Sequence, residues 1–149
     1  MNEIDIQPFN AEQLAPLVAL FEAQLREHGI PTSPDALFSV LRTLEAQPQH
    51  GFLLTAVCDG SAVGVAYAAS ILSLEHGGRS GWLEELYVQP AWRGRGVGTR
   101  LLKAVVAAAG QRGWQALDVE VDAAHQRVVS LYARHGFQPV HRSRFVRHL

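Results

Sequence analysis

Cysteine, lysine, net charge and long apolar runs are all scarce in this chain, and each scarcity closes off a class of protein. One cysteine, Cys58, in 149 residues excludes an intrachain disulfide framework and permits a reducing compartment. It lies in the apolar run Phe52–Cys58, where a buried structural thiol is expected and not a nucleophile. The 13 basic and 14 acidic residues leave a net charge of −1, so no bulk field draws the chain to nucleic acid or to an anionic membrane. Lys103 is the one lysine among those 13, a compositional bias with no chemistry attached. No run approaches the roughly 20 apolar residues of a membrane span, and no apolar leader precedes Asp5. A cytoplasmic location is therefore expected. His28, His50, His76, His135, His141 and His148 show no paired spacing with Cys58 or acidic residues, so no metal site is expected either.

What is present is a regular alternation of elements within one domain, residues 1–149, without repeats or linkers. Ile4 and Ile6 alternate with polar neighbours in a short first strand, Glu3–Phe9. Asn10 and Gln13 form a capping box ahead of a helix carrying Leu14, Leu17, Val18, Phe21 and Leu25, which Gly29 and Pro31 stop. Ser33-Pro34-Asp35 opens a second helix with Leu37, Val40, Leu41 and Leu44 on its apolar face. Phe52–Cys58 and Ala62–Leu74 read as strands joined at Asp59-Gly60, a hairpin signal, and Gly81–Val88 as the next strand. A central helix follows from about Gly96 to Arg112, then a strand through Leu117, Val119 and Val121. Val128, Leu131, Tyr132 and His135 recur at helical spacing before Gly136, and the tail Phe137–Leu149 is expected to add one or two closing strands.

The segment from Gly81 to Leu102 carries the most information. A strand runs into a turn with Gly94, Gly96 and Gly98 at alternate positions, and the turn opens a helix. Uncovered N–H groups and the positive end of the helix dipole make a phosphate site there, with Arg93 and Arg95 adding formal charge. A nucleotide P-loop needs Gly-Lys-Ser/Thr, and the one lysine lies beyond the turn. A dinucleotide fingerprint needs G-x-G-x-x-G, and the third glycine is misplaced for it, although Asp118 and Glu120 fall at a tolerable distance. Arg93-x-x-Gly96-x-Gly98 fits the R-x-x-G-x-G/A signature of acetyl-CoA diphosphate binding. With Leu-Glu-Glu-Leu-Tyr-Val-x-Pro before it and Leu131-Tyr132-x-x-x-Gly136-Phe137 after it, the chain resembles the GNAT superfamily of N-acetyltransferases over essentially its whole length.

That resemblance implies an α/β (α+β) fold with one mixed sheet of six to seven strands flanked by four helices, in the order β-α-α-β-β-β-α-β-α-β. It implies acetyl-CoA as co-substrate, held by Arg93, Gly94, Arg95, Gly96, Val97, Gly98 and Thr99. The backbone of Leu86, Tyr87 and Val88 would pair with the pantetheine arm, an amide of Val88 or Leu86 supporting the oxyanion. The segment before the turn looks most like that of polyamine N-acetyltransferases, by which Glu84 matches the base or amine anchor. Tyr132 matches the general acid that protonates the departing thiolate. His125 stands where the family usually carries an asparagine that bonds the arm, and Val128 where alanine is customary; an imidazole cannot reproduce the paired donor and acceptor of an amide.

A primary amine costs about 4 to 5 kcal/mol to deprotonate at pH 7, so a base is needed. Strand alternation puts Glu84 and Glu85 on opposite faces unless a bulge intervenes. The expectation is transfer to the primary amine of a small molecule in a ternary complex, with no metal, nucleic acid or membrane partner and a homodimer as the default assembly. A peptide or protein N-acetyltransferase and a non-catalytic acyl-CoA-binding module are the alternatives.

Overall fold

The computed structural model describes residues 2–149. Strand β1 (Asp5–Pro8) leads through a single 3-10 turn, Ala11–Gln13, into helices α1 (Leu14–Glu27) and α2 (Pro34–Ala46). Asn10 opens that turn by accepting from the Glu12 N–H, and Ser33 caps α2 by accepting from the Ala36 N–H. Strands β2 (Gly51–Cys58) and β3 (Ser61–Ser73) form the hairpin, with Asp59 at φ 49° and Gly60 at φ 76°, the left-handed pair that a type I′ turn requires. Strand β4 (Gly78–Val88), helix α3 (Val97–Gln111), strand β5 (Leu117–Val119) and a one-and-a-half-turn helix α4 (Val129–Arg134) complete the regular structure.

The strands lie in sequence order in one sheet, antiparallel except for the β4–β5 pair. Alternation along the strands divides the core into two layers. Leu53, Val65 and Tyr87 face α1 and α2, where Leu17, Leu20, Phe21 and Leu41 bury against them. Phe52, Ala66, Ala68 and Leu83 face α3, against Val97, Leu101, Leu102 and Val105. Cys58 is buried in that second layer, as a structural thiol should be. Gly64 lets α3 approach, since a Cβ there would come within 3.0 Å of the Tyr87 carbonyl and 3.2 Å of Leu101 Cδ1.

One irregularity decides where the sheet opens. In β4, Glu85 pairs with Tyr67 and Leu83 with Ala68, so Glu84 is an extra residue, a β-bulge. The parallel pairing to β5 ends at Leu83–Val119, immediately before that bulge. From Glu84 to Val88 the strand keeps β3 on one side and has no strand on the other.

Five strands form among the described residues, not six or seven. The tail after α4 contributes none. It contains Pro139, which offers no N–H to a ladder, and its apolar side chains stay in solvent: Val140 is 72% and Phe145 92% exposed. Two exposed ion pairs, Arg142 to Glu75 and Arg144 to Glu120, hold it against the body instead. The strand expected through Val121 stops at Val119, because the next turn leaves the sheet. The last helix begins as a 3-10 turn, Ala123–Val128, capped by Asp122. No helix among the described residues is long and apolar enough to cross a membrane.

Gly81 locks β4 to the end of α3: a Cβ there would enter the Trp114 ring and approach Leu117 Cδ2 to 2.8 Å. Gly81→Ala should cost about 1 to 3 kcal/mol in urea unfolding. Gly81→Ala combined with Trp114→Leu should cost clearly less than the two single changes summed, because the ring is what the methyl meets.

Candidate active site

A single 3-10 turn, Pro90–Trp92, carries the chain from β4 toward α3. Gly94 (φ 72°) and Gly96 (φ 79°) then adopt left-handed conformations that glycine takes without strain. Gly96 is the N-cap of α3 and supplies no capping side chain, so the first N–H groups of a 15-residue helix stay uncovered. A Cβ at Gly94 or Gly96 would meet nothing within 4 Å, and one at Gly98 only Val88 Cγ2 at 3.8 Å. This is an open cradle at a positive helix end, and a diphosphate fits it.

The two arginines behave differently. Arg93 Nε donates to the Val88 carbonyl at 2.8 Å, and its Nη2 donates to both carboxylate oxygens of Glu27 at 2.9 and 3.0 Å. Its guanidinium also lies over the Tyr87 ring, 5.4 Å from the centroid. Arg93 therefore ties the last turn of α1 to the open end of β4. Arg95 lies over the Trp92 ring at 5.2 Å, outside the cleft lining.

Where β4 and β5 part, a cleft of about 860 Å³ opens. The bulge sets Glu84 and Glu85 together opposite Tyr67, and both line the cleft. Glu84 stands at the exposed mouth, its carboxyl pushed up by desolvation against the lowering pull of Arg144. Glu85 is deeper. Desolvation first, then the charge of Glu84, push its carboxyl up to about 7, while a hydrogen bond from the Gln24 side chain pulls the other way. Tyr132 enters from the α3 side, 8% exposed and edge-on to Phe137 at 5.5 Å. Desolvation and the charge of Glu85 push its phenol up to about 12. A carboxyl and a phenol, each displaced upward from its ordinary value and the phenol partly by the carboxylate's charge, face one cleft.

The geometry has clear counterparts. Residues 17–137 match the model of the acetyltransferase (GNAT) family. The chain belongs to the acetyltransferase (GNAT) family. It is an N-acetyltransferase by that membership, and acetyl-CoA is the co-substrate of the chemistry. It is 36% identical over 124 residues to an aminoglycoside N(6')-acetyltransferase type 1 of Stenotrophomonas maltophilia, covering 76% of this chain and 80% of that protein. It is 29% identical to a thialysine N-epsilon-acetyltransferase of Bos taurus, covering 85% and 70%. An aminoglycoside N-acetyltransferase solved with CoA shares the fold at a TM-score of 0.85 and 23% identity, covering 99% of this chain and 96% of that one.

Of the residues the sequence singled out in this acetyltransferase, Glu84, Leu86, Tyr87, Val88, Arg93, Gly94, Gly96, Val97, Gly98, Thr99, His125 and Tyr132 all line the one cleft. Arg95 does not. Sequence reasoning set Glu85 aside in favour of Glu84, and missed Gln24 and Glu27, which α1 brings across the fold. It also missed that His28 packs beside His125, ring centroids 4.5 Å apart, with Asp122 in reach. The doublet Glu84-Glu85 was the one available signal for the bulge; the α1 residues gave none.

Gly96→Ala should cost the fold about 1 to 2 kcal/mol for its left-handed backbone. Calorimetry with CoA should show a separate effect, an affinity loss of at least about tenfold. An unchanged affinity would mean that the turn does not hold the diphosphate.

Proposed function

We propose that this enzyme transfers the acetyl group of acetyl-CoA directly to a primary amine of a small cationic molecule, within a ternary complex. The observation that carries the reading is the bulged pair Glu84-Glu85, two carboxyls displaced toward neutrality beside an open strand edge. The named relatives act on an aminoglycoside and on thialysine, both amines, which supports the same class here.

Acetyl-CoA supplies an activated thioester; the chain supplies position, charge and protons. The uncovered helix end and the glycine turn hold the diphosphate, and the free edge from Leu86 to Val88 offers backbone partners to the arm. An amide of that edge, Leu86 or Val88, donates to the thioester oxygen as negative charge gathers on it. His125 lies beside the arm in place of an amide side chain.

Glu84, at the mouth, attracts the ammonium, and Glu85 takes its proton. Passing a proton from an ammonium near 10.4 to a carboxylate at about 7 is uphill by about 5 kcal/mol, against about 8 for a carboxyl at its ordinary value. Tyr132 then gives its proton to the departing sulfur. With the phenol at about 12 that step is also uphill by about 5 kcal/mol. Part of that displacement is the charge of Glu85, and it vanishes once Glu85 is protonated. The base, having acted, strengthens the acid. The homodimer remains part of this reading, and the exposed Val140, Phe145 and Val146 are the surface it would cover.

Steady-state turnover over a panel of polyamines, aminoglycosides, lysine analogues and peptide N-termini tests the acceptor class. For the best amine, kcat/KM should fall below pH 7 as Glu85 protonates. Glu85→Gln should remove that limb and lower kcat about 100-fold or more. Tyr132→Phe should lower kcat similarly; an unaltered rate would end its role as acid.

The same carboxyl also bears on stability. It titrates at about 7 when folded, against an ordinary value of 4.5, so the folded chain binds the extra proton between those values. Stability is present below 4.5 and is lost as pH rises toward 7. Glu85→Gln should therefore melt higher than the parent at pH 8, with little difference at pH 4.

A further inference from the structure

We propose that His28, Asp122 and His125 form a binding site for a first-row divalent transition metal, of the zinc class, at the rim of the cleft. The ligand atoms come from two places far apart in sequence. His28 is the C-cap of α1. Asp122 caps the 3-10 turn before α4, its Oδ1 accepting from the Ala124 N–H at 2.9 Å. That bond leaves Oδ2 toward His28, whose Nδ1 lies 3.4 Å away. His125 interrupts the same turn with non-helical backbone (φ −119°, ψ 33°) and brings its ring to 4.5 Å from that of His28.

The polar accounting is incomplete without an ion. His125 Nδ1 is buried and has no hydrogen-bond partner, a condition that costs free energy unless something satisfies it. One ligand atom from each residue lies within 4.8 Å of the others. Tetrahedral zinc, with bonds of about 2.0 to 2.2 Å, needs its ligand atoms about 3.4 Å apart. The His28–Asp122 pair already meets that separation, so closing His125 in from at most 4.8 Å completes the set. Two imidazoles and one carboxylate favour zinc, nickel, cobalt or copper over calcium and magnesium, which take oxygen ligands.

All three side chains line the cleft, so the remaining coordination position opens into it. A bound ion would fasten the end of α1 to the β5–α4 connection and engage His125. On the reading that the pantetheine arm passes His125, which this part of the inference rests on, the ion opposes acetyl-CoA.

The experiment begins with the apo protein after chelation. Cobalt(II) titration should show one equivalent with visible ligand-field bands of a nitrogen–oxygen site, and zinc should displace it in competition with a chromophoric chelator. His28→Ala and His125→Ala, with His28→Gln as a milder variant, should each weaken zinc at least about 100-fold, more than loss of an outer partner costs. His76→Ala, which removes the ring paired with Asp118 at 3.0 Å, should leave affinity unchanged. Equal zinc affinity in the parent and in His28→Ala or His125→Ala, each shown folded by circular dichroism, would overturn the site. In turnover assays zinc should raise the KM for acetyl-CoA in the parent and not in His28→Ala. A KM indifferent to saturating zinc would overturn the opposition while the titration upholds the site. The titration needs no substrate, so its failure is separable from failure of the acetyltransferase mechanism.

Discussion

The bulge at Glu84 is the constraint on which the site depends. A strand in register with β3 alone has one edge to spare, and β4 spends that edge on β5 only as far as Leu83. The extra residue bends the strand just where the pairing ends, so the two strands diverge and leave backbone groups unpaired over one turn of cleft. An exposed edge is ordinarily a hazard. Here it lies inside a cleft, walled by α1 on one face and by α4 on the other. The same bulge overrides alternation and sets two carboxylates side by side, and the charge of Glu84 adds to the desolvation that raises Glu85.

Around that edge the chain distributes charge with little redundancy. The glycine turn offers a helix end without a side-chain cap, and Arg93, the first residue of the motif, is committed to Glu27 and to the Val88 carbonyl. On the proposed reading backbone amides provide the anion site, while the arginine braces the walls. Its ring contact with Tyr87 extends the brace into the α1 layer of the core. The positive φ values at Gly94 and Gly96 belong to the same arrangement, because they hold a turn in which no side chain covers the backbone.

Most of the elements were legible because their signals are local. Ser33-Pro34 starts a helix through its own hydroxyl and ring, and Asp59-Gly60 closes a hairpin through its own dihedrals. The glycine turn was legible for the same reason. What escaped the sequence was set by partners. The bulge exists only relative to β3, and the hydrogen bond that partly offsets the displacement of Glu85 comes from Gln24 on α1. His28 and Asp122 are 94 residues apart, and no spacing rule spans that distance. The tail reads as strand by composition, yet a strand needs a ladder and a face to bury, and after Phe137 the chain has neither.

The Glu84 bulge also makes residue count, and not just residue type, a property of the site. Deleting Glu84 would restore a plain ladder with β3, because Leu83, Glu85, Leu86 and Tyr87 already pair with Ala68, Tyr67, Ala66 and Val65 in succession. Leu83 and Tyr87 would keep their layers, and what would be lost is the doubled carboxylate and the bend at the point where the β4–β5 pairing ends. Length variation in this chain is therefore tolerable in the hairpin crown between β3 and β4, around Leu74 to Gly77, and reshapes the cleft when it falls at the bulge.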